Sequence, residues 1–240
     1  MAQMKAFFGR GNSGGSGEEH HWLSVSDLMT GLMMVFLLIS IALMRYALIE
    51  RDRIKEVAVA YQENQIAIYE NLVDEFERDL ESWDANINKD TLAFTFQSPE
   101  VLFDRGSADL RPRFQEILDD FFPRYLDILL DFSSSIDEVR IEGHTSSIWN
   151  TEATEPTAYF NNMALSQSRT RSVLEYLYTE EAIEKYRDWI KEHVAAVGFS
   201  SSRLVLDEAG HEDSDKSRRV TFRVITNAET QIRQILDGES

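Results

Sequence analysis

An uncharged run of apolar residues near the start of the chain, from Leu28 to Met44, restricts the fold more than any other feature. Extended to Ile49, the run holds 22 residues, or about 33 Å of α-helix. That length matches one crossing of the hydrocarbon core of a bilayer. A cleaved signal peptide is the alternative, but the basic region before the run is weak and no small-residue cleavage motif follows it. The sequence therefore predicts an uncleaved transmembrane helix over residues 23–49.

The composition excludes several classes of function. The formal net charge is −18, and the sequence has no cluster of Lys and Arg of the kind that binds phosphates, so we expect no direct nucleic-acid partner. Because there is no cysteine, disulfides and thiolate zinc sites are excluded. The sequence also lacks a nucleophile elbow, a phosphate loop and an HExxH motif. We therefore expect no enzymatic activity, no cofactor and no metal.

An ionisable residue, Asp27, stands immediately before the apolar run. A carboxylate is costly to keep charged against lipid, so such residues usually face protein or water and mark ion pathways. Removing a carboxyl group from water also favours its protonated form. The alternative is a structural role, because Asp27 or Ser26 could cap the helix by accepting a free backbone N–H. Position alone leaves both interpretations open.

Two segments flank the predicted span. Residues 1–22 are rich in Gly and Ser, which predicts a flexible tail. Residues 50–89 contain no Gly or Pro and are rich in strong helix formers, which predicts a long helical linker. One apolar stripe at helical spacing runs along that segment. It consists of Ile54, Val57, Tyr61, Ile68, Leu72, Phe76, Leu80, Trp83 and Ile87.

A helix with a single apolar stripe has no core of its own. It must pack on a copy of itself, on a partner or on the membrane surface. Self-pairing is the simplest of these, so the stripe predicts a dimerisation segment and a homodimer.

From residue 90 to residue 240 the pattern becomes that of a compact α/β domain. Strands are predicted for TLAFTF, VLF, EVRIEG, VAAVGFS and RRVTFRVI. Helices are predicted over residues 112–132 and 162–178, with a third in AIEKYRDWIKEHV. Strands and helices that alternate over about 150 residues are typical of one layered domain.

Two parts of the sequence resemble a family of membrane motors. DLMTGLMMVFLLI resembles the transmembrane motif of MotB-like subunits of ion-driven stators, although Leu28 separates Asp27 from the Met-Thr pair. VLFDRGSADLRP, VRIEGHTS, NMALSQSRTRSVLEYL and SRRVTFRV resemble the OmpA-like peptidoglycan-binding domain in order and spacing. The resemblance implies a membrane protein with a single N-terminal transmembrane helix, a long post-membrane helix and a C-terminal α/β OmpA-like domain. Within this class, the chain is most similar to the MotB-like subunits of the Zorya anti-phage system.

The resemblance gives a role to two residues of the span. Asp27 matches the family's proton-carrying aspartate, and Thr30 matches its hydroxyl neighbour on the same helical face. It implies transport of H⁺ in preference to Na⁺. It also implies a homodimer inside a ring of MotA-like subunits, which is pentameric, and effectors on the cytoplasmic side as further partners.

The resemblance also places a peptidoglycan-binding site at Thr145, Ser146, Asn162, Leu165 and Arg169. The family's Arg, here Arg169, holds the carboxylate of a diaminopimelate side chain, for which a guanidinium is well suited. The family's Asp, which holds the neighbouring ammonium group, is replaced by Ser146. A hydroxyl does not neutralise an ammonium, so we expect either that Glu152 or Glu155 takes that task or that wall binding is weaker or altered.

The sequence signals disagree about orientation. The C-terminal flank of the apolar run carries Arg45, Arg51, Arg53 and Lys55, whereas only Lys5 and Arg10 precede the span. The positive-inside rule therefore places the C-terminal side in the cytoplasm. The resemblance implies the opposite: a single-pass protein of the bacterial inner membrane with a cytoplasmic N-terminus and a periplasmic C-terminal domain. We follow the resemblance, because a wall-binding domain has no target in the cytoplasm.

Three functions fit these residues. The first is a proton-driven stator subunit anchored to peptidoglycan, with a role in anti-phage defence. The second is a flagellar MotB-type stator subunit. The third is a passive OmpA-like cell-wall tether or sensor without ion conduction, in which Asp27 only caps its helix.

Overall fold

The computed structural model describes residues 16–97 and 99–227, and the chain divides into two units after Lys55. Of the predicted tail, residues 1–15 lie outside the described residues. Helix α1 runs from Ser16 to Leu80 and so includes the remaining residues of that tail. Because α1 ends at Leu80, the helix stops before the end of the predicted 50–89 linker.

The first unit contains the apolar part of α1. An 18-residue window of this helix has a mean hydropathy of 2.3, and none of that window is buried. Among the described residues, α1 is the one helix long and apolar enough to cross a membrane. Its large apolar side chains from Val25 to Ile49 are exposed, as expected for a surface that meets lipid or another subunit.

The second unit is an α/β domain with a five-stranded sheet. The strands are β1 (Ala85–Asn88), β2 (Ala93–Phe96), β3 (Ile136–His144), β4 (Val194–Gly198) and β5 (Arg219–Thr226). The helices are α2 (Pro99–Leu102), α3 (Pro112–Asp131), α4 (Glu155–Thr179), α5 (Arg187–His193) and α6 (Ser214–Ser217). Short 3-10 helices cover Ser133–Ser135 and Glu181–Tyr186.

The sheet is mixed, with the strand order β1-β2-β5-β3-β4. Only β3 and β4 are parallel to each other, with Gly143 opposite Gly198. A parallel pair needs a crossover connection, which α4 and α5 supply. The other pairs are antiparallel, and in the centre of the sheet Ile141 lies opposite Phe222. The predicted fold class, one N-terminal apolar helix followed in the sequence by an α/β domain, is confirmed.

The core lies between the sheet and the apolar face of α3. Phe121 of α3 is fully buried, with its ring centroid 4.6 Å from that of Phe94 and 5.1 Å from that of Phe222. Aromatic pairs at such separations add stabilisation beyond the burial of their area. The helical spacing of apolar residues in residues 112–132 therefore predicted both this helix and the face that it buries.

The C-terminal part of α1 also belongs to this core. Ile68, Leu72 and Phe76 are fully buried, and the Phe76 ring centroid lies 5.3 Å from those of Phe94 and Phe121. The expectation that the whole stripe packs outside its own chain is therefore wrong for its second half. That half is buried by the domain that follows it, so it no longer argues for self-pairing.

Arg124 of α3 binds the same part of α1 through ion pairs. Its Nε donates to Glu75 Oε1 at 2.6 Å and its Nη2 to Asp79 Oδ2 at 2.9 Å. The guanidinium also lies 4.6 Å from the centroid of the Phe76 ring. Two carboxylates and an aromatic face fix the guanidinium in place, which makes this contact more specific than an ordinary surface ion pair.

Several predicted boundaries are wrong. The linker helix was predicted to continue through residue 88, but it ends at Leu80 and residues 85–88 form β1. The VLF stretch was predicted as a strand, whereas its first two residues end α2 and Phe103 forms only an isolated bridge with Leu110. Helix α4 begins at Glu155, before the predicted start at residue 162, because Pro156 suits the first turn of a helix.

Candidate functional site

Asp27 lies inside α1 and not at its beginning. The helix starts at Ser16, so the backbone N–H groups after Asp27 already have carbonyl partners within the helix. The interpretation of Asp27 or Ser26 as an N-cap is therefore wrong. The Asp27 side chain is exposed, which leaves its carboxylate available to water or to another subunit.

Thr30 follows Asp27 by three residues on the same helix. Its Oγ1 donates a hydrogen bond to Ser26 O at 2.7 Å, back along the helix. This bond uses the only proton of the hydroxyl, so the oxygen remains an acceptor for a neighbouring donor.

All five residues predicted for peptidoglycan binding line one cleft of about 580 Å³ in the second unit. Thr145 and Ser146 follow the end of β3, and the other three lie on α4. Asn162, Leu165 and Arg169 are spaced by three and four residues, which places them on one face of that helix. A concave site of this size is typical of a small-ligand pocket.

Two glycines let α4 approach the sheet closely enough to form this cleft. A Cβ on Gly143 would lie 2.8 Å from Ser166 O, and a Cβ on Gly198 would lie 2.5 Å from Gln167 N. Both distances are too short for a side chain next to backbone atoms, so any larger residue would displace α4. The two glycines thereby determine where Arg169 stands relative to the end of β3.

The loop after β3 is held by hydrogen bonds on both sides. The Thr145 N–H donates to Ser200 O at 2.9 Å, and Asn162 Nδ2 donates to Ser146 O at 3.1 Å. Ser200 in turn donates through its Oγ to Tyr159 O at 2.7 Å. Asn162 therefore positions the loop that carries Ser146.

Arg169 is buried against the loop between β2 and α3. Its Nε donates to Ser107 O at 2.9 Å and its Nη2 to Asp104 O at 3.2 Å, and the guanidinium lies 4.8 Å from the centroid of the Phe103 ring. Burial, reinforced by the charge of Arg218, lowers the pKa of Arg169 to about 10. The side chain remains a cation at neutral pH, and these bonds fix its orientation.

The expected replacement for the family's aspartate is not where we predicted it. Neither Glu152 nor Glu155 lines the cleft, and both side chains are exposed. The carboxylate nearest to the loop in hydrogen bonding is Glu212, whose oxygens accept from the Ser147 N–H at 2.9 Å, from Ser147 Oγ and from Ser214 Oγ at 3.2 Å. Glu212 is not among the residues that the sequence predicted for this site.

A charged cluster surrounds Glu142 near the end of β3. The Glu142 side chain is fully buried, 3.0 Å from Arg223 Nε, 3.2 Å from Arg203 Nη1 and 3.3 Å from His144 Nε2. Burial alone would raise the pKa of Glu142, but these partners hold it below its usual value. Burial lowers the pKa of His144, and the charges of Arg219 and Arg203 lower it further against the opposing effect of Glu142.

The depressed pKa of His144 predicts an acid-sensitive fold. Below the usual histidine pKa of 6.5 the unfolded chain binds a proton that the folded chain does not, so the free energy of unfolding should fall as the pH decreases. We expect this fall between about pH 7 and about pH 5, where Glu142 does not yet titrate. Denaturant unfolding across that range measures it.

His144→Gln should make this pH dependence shallower, because glutamine does not titrate. His211→Gln is the matched control, since the His211 side chain is exposed, and it should keep the wild-type slope. An unchanged slope in His144→Gln would contradict the assignment.

The sequence interpretation missed part of the cleft wall. Arg105 and Arg111 line it, although both lie in the VLFDRGSADLRP stretch that carries the family resemblance. Arg218 also lines the cleft, as do Ile148 and Trp149. Arg105 and Arg111 could have been found from that motif, whereas the contribution of the 148–149 loop depends on its folding path.

Comparison with known proteins gives a consistent picture. The OmpA family matches residues 102–219, which hold every residue of the cleft. Zorya protein ZorB of Escherichia coli strain ATCC 8739 is 56% identical over 219 residues, which are 91% of this chain and 93% of the relative. The chain belongs to the ZorB family. The predicted resemblance to MotB-like and OmpA-like proteins is therefore confirmed for this ZorB-family chain.

Two solved structures are similar to part of this chain at lower sequence identity. A MotB-like protein of Desulfovibrio vulgaris is 19% identical, covers 69% of this chain and 93% of its own length, and has a TM-score of 0.48. The cell wall anchor of the T6SS from Pseudomonas aeruginosa is 23% identical, covers 65% of this chain and 96% of its own length, and has a TM-score of 0.44.

Proposed function

We propose that this ZorB-family chain is the wall-anchored, proton-conducting subunit of an inner-membrane motor that acts in anti-phage defence. The observation that carries the proposal is the presence in one chain of a helix with Asp27 directly before its uncharged apolar run and a cleft lined by all five residues of the wall site. A motor that turns a ring of subunits needs an ion-binding group and a fixed point, and these two features supply them.

Proton binding at Asp27 is the step that drives the motor in this proposal. A proton from outside neutralises Asp27, the neutral side chain changes its contacts with the surrounding MotA-like ring, and release to the cytoplasm restores the charge. Each cycle is a shift between two populations of the complex. A membrane potential biases that shift by about 2.3 kcal/mol per charge per 100 mV.

The assembly that fits this step is a homodimer inside a pentameric ring of MotA-like subunits. The exposed apolar side chains between Val25 and Ile49 support it, since a surface of that length needs lipid or other subunits to cover it. We assign the chain to the bacterial inner membrane, with the N-terminus in the cytoplasm and the second unit in the periplasm, where peptidoglycan is accessible. Cytoplasmic effectors would then receive the output of the motor.

Arg169 is the residue that we expect to hold the wall. Its guanidinium faces the cleft as a fixed cation, and carboxylates of peptidoglycan stem peptides are suitable ligands for it. Arg169→Ala should reduce retention on purified sacculi by about tenfold or more, because hydrogen bonds to charged groups contribute about 1.5–3 kcal/mol. A pull-down of the detergent-solubilised full chain with sacculi measures this loss.

Arg171→Ala is the matched control for this pull-down, because Arg171 lies on the same helix with its side chain 82% exposed. It should bind sacculi as the wild type does. Circular dichroism of Arg169→Ala separates lost binding from lost folding. If a folded Arg169→Ala variant were retained as well as the wild type, that result would contradict the assignment of this site to wall binding.

A further inference from the structure

The wall of the cleft carries positive charge and no negative charge. Four arginines line it, Arg105, Arg111, Arg169 and Arg218, and no Asp or Glu is among the lining residues that the structure describes. A site that holds a zwitterion needs both signs of charge, one for the carboxylate and one for the ammonium. This cleft offers only the sign that binds a carboxylate.

Two of the four arginines lack a carboxylate partner. Arg111 pairs with Asp104 at 2.6 Å, and Arg218 pairs with Asp215. Arg169 bonds only to backbone carbonyls, and Arg105 forms no ion pair with any described residue. A ligand in the cleft therefore meets at least two guanidinium charges that the protein itself does not neutralise.

The position where an ammonium would need a negative counter-charge also holds no free carboxylate among the described residues. Ser146 is 5% exposed, and its carbonyl already accepts from Asn162 Nδ2. Glu212 stands behind the loop with its oxygens bonded to Ser147 and Ser214. An ammonium group placed here would be repelled by the arginines and would find no free carboxylate.

Unused hydrogen-bonding groups in the same wall also point to an oxygen-rich ligand. Thr145 Oγ1, in a residue that is 4% exposed, and Arg218 Nε are buried without a hydrogen-bond partner among the described residues. Both residues line the cleft. Buried donors are normally satisfied, and a carboxylate or amide oxygen of a ligand would satisfy them after a small adjustment of the wall.

We infer that the cleft selects a carboxylate whose neighbouring nitrogen is acylated, and discriminates against the free zwitterion of an amino acid. In peptidoglycan, which is the ligand if the proposed function holds, this is the diaminopimelate end whose amine has been acylated by a cross-link. Acylation removes the positive charge, leaves the carboxylate for Arg169 and Arg105, and adds a carbonyl oxygen as an acceptor for Thr145 or Arg218. The chain would thus bind cross-linked wall in preference to wall with free stem peptides.

Competition experiments on the full chain in detergent test this selectivity. The chain is bound to sacculi, and meso-diaminopimelate or its derivative acetylated on one amine is added as competitor. The acetylated compound should release the wild-type chain at a concentration about tenfold lower, since that factor corresponds to about 1.4 kcal/mol of removed repulsion. Ser146→Asp should reduce or reverse the preference, because it returns a carboxylate to the wall.

Ser168→Asp is the matched control, because Ser168 is exposed on α4 and does not line the cleft. It should keep the wild-type preference. If the wild-type chain is retained on sacculi but the free zwitterion competes as well as the acetylated compound or better, the inference is overturned and wall anchoring stands. The same holds if the chain is retained and neither compound competes. Absence of any retention on sacculi overturns the proposed function and the inference together. The wild-type comparison decides the matter even where Ser146→Asp does not fold.

Discussion

Asp27→Asn is expected to abolish the activity of the motor in cells. Asparagine has nearly the same size as aspartate and keeps an exposed polar group in α1, but it cannot gain or lose a proton. Since Asp27 does not cap the helix, the substitution should leave the helix itself intact. In cells that carry the chain with its partner subunits, phage should form plaques on the Asp27→Asn strain as often as on cells without the system.

Two further variants serve as comparisons for this result. Asp52→Asn makes the same chemical change on the same helix beyond the apolar run, at a carboxylate that is 61% exposed and paired with Arg51, and should keep full protection. Asp27→Glu keeps a titrating group and should retain part of the activity. Full protection by Asp27→Asn would return the chain to the class of passive tethers.

Phe76→Ala is expected to lower the free energy of unfolding of the second unit by about 3–5 kcal/mol. Phe76 is fully buried between Trp83, Phe94 and Phe121, with centroid distances of 5.3–5.9 Å. Its removal leaves a cavity in the middle of the core and takes away the ring that Arg124 covers. Denaturant unfolding of the full chain in detergent, followed by near-ultraviolet circular dichroism, measures the loss.

Val59→Ala provides the comparison on the same helix. Val59 is 47% exposed, so its truncation should change the free energy of unfolding by no more than about 0.5 kcal/mol. Similar small effects of both substitutions would show that the second half of α1 does not pack on the domain. In that case the stripe would again require a second copy of the chain.

Local periodicity was enough to predict most of the elements of this fold. The apolar spacing in residues 112–132 identified α3 and its buried face, and alternating apolar residues identified β2, β3 and β5. Each of these segments is long or strongly patterned, so its own sequence determines its structure. The short strand β1 has the sequence ANIN and follows a helical pattern without Gly or Pro, so nothing local separates it from the helix.

The partner of an apolar face could not be read from the sequence in the same way. The stripe at Ile68, Leu72 and Phe76 shows which side of α1 avoids water, but not what covers that side. The answer depends on where the sheet and α3 stand after folding. Self-pairing was the simpler interpretation, and packing on the domain of the same chain is what the structure has.

The candidate site, too, was predicted from the sequence only in part. The residues of the wall site came from a family motif, and the structure brings them to one cleft. Glu212 was missed because it meets Ser147 across 65 residues of sequence, through a turn that has no pattern of its own. The four arginines of the cleft come from separate parts of the sequence, so their grouping became visible only in three dimensions.

Proton flux through the assembled complex tests the central claim most directly. The chain and its MotA-like partner are reconstituted into liposomes that contain a pH-sensitive dye, and a membrane potential is applied. We predict that wild-type complexes acidify the lumen in proportion to the potential, whereas complexes with Asp27→Asn show only the leak of empty liposomes. Equal flux through both complexes would contradict the account.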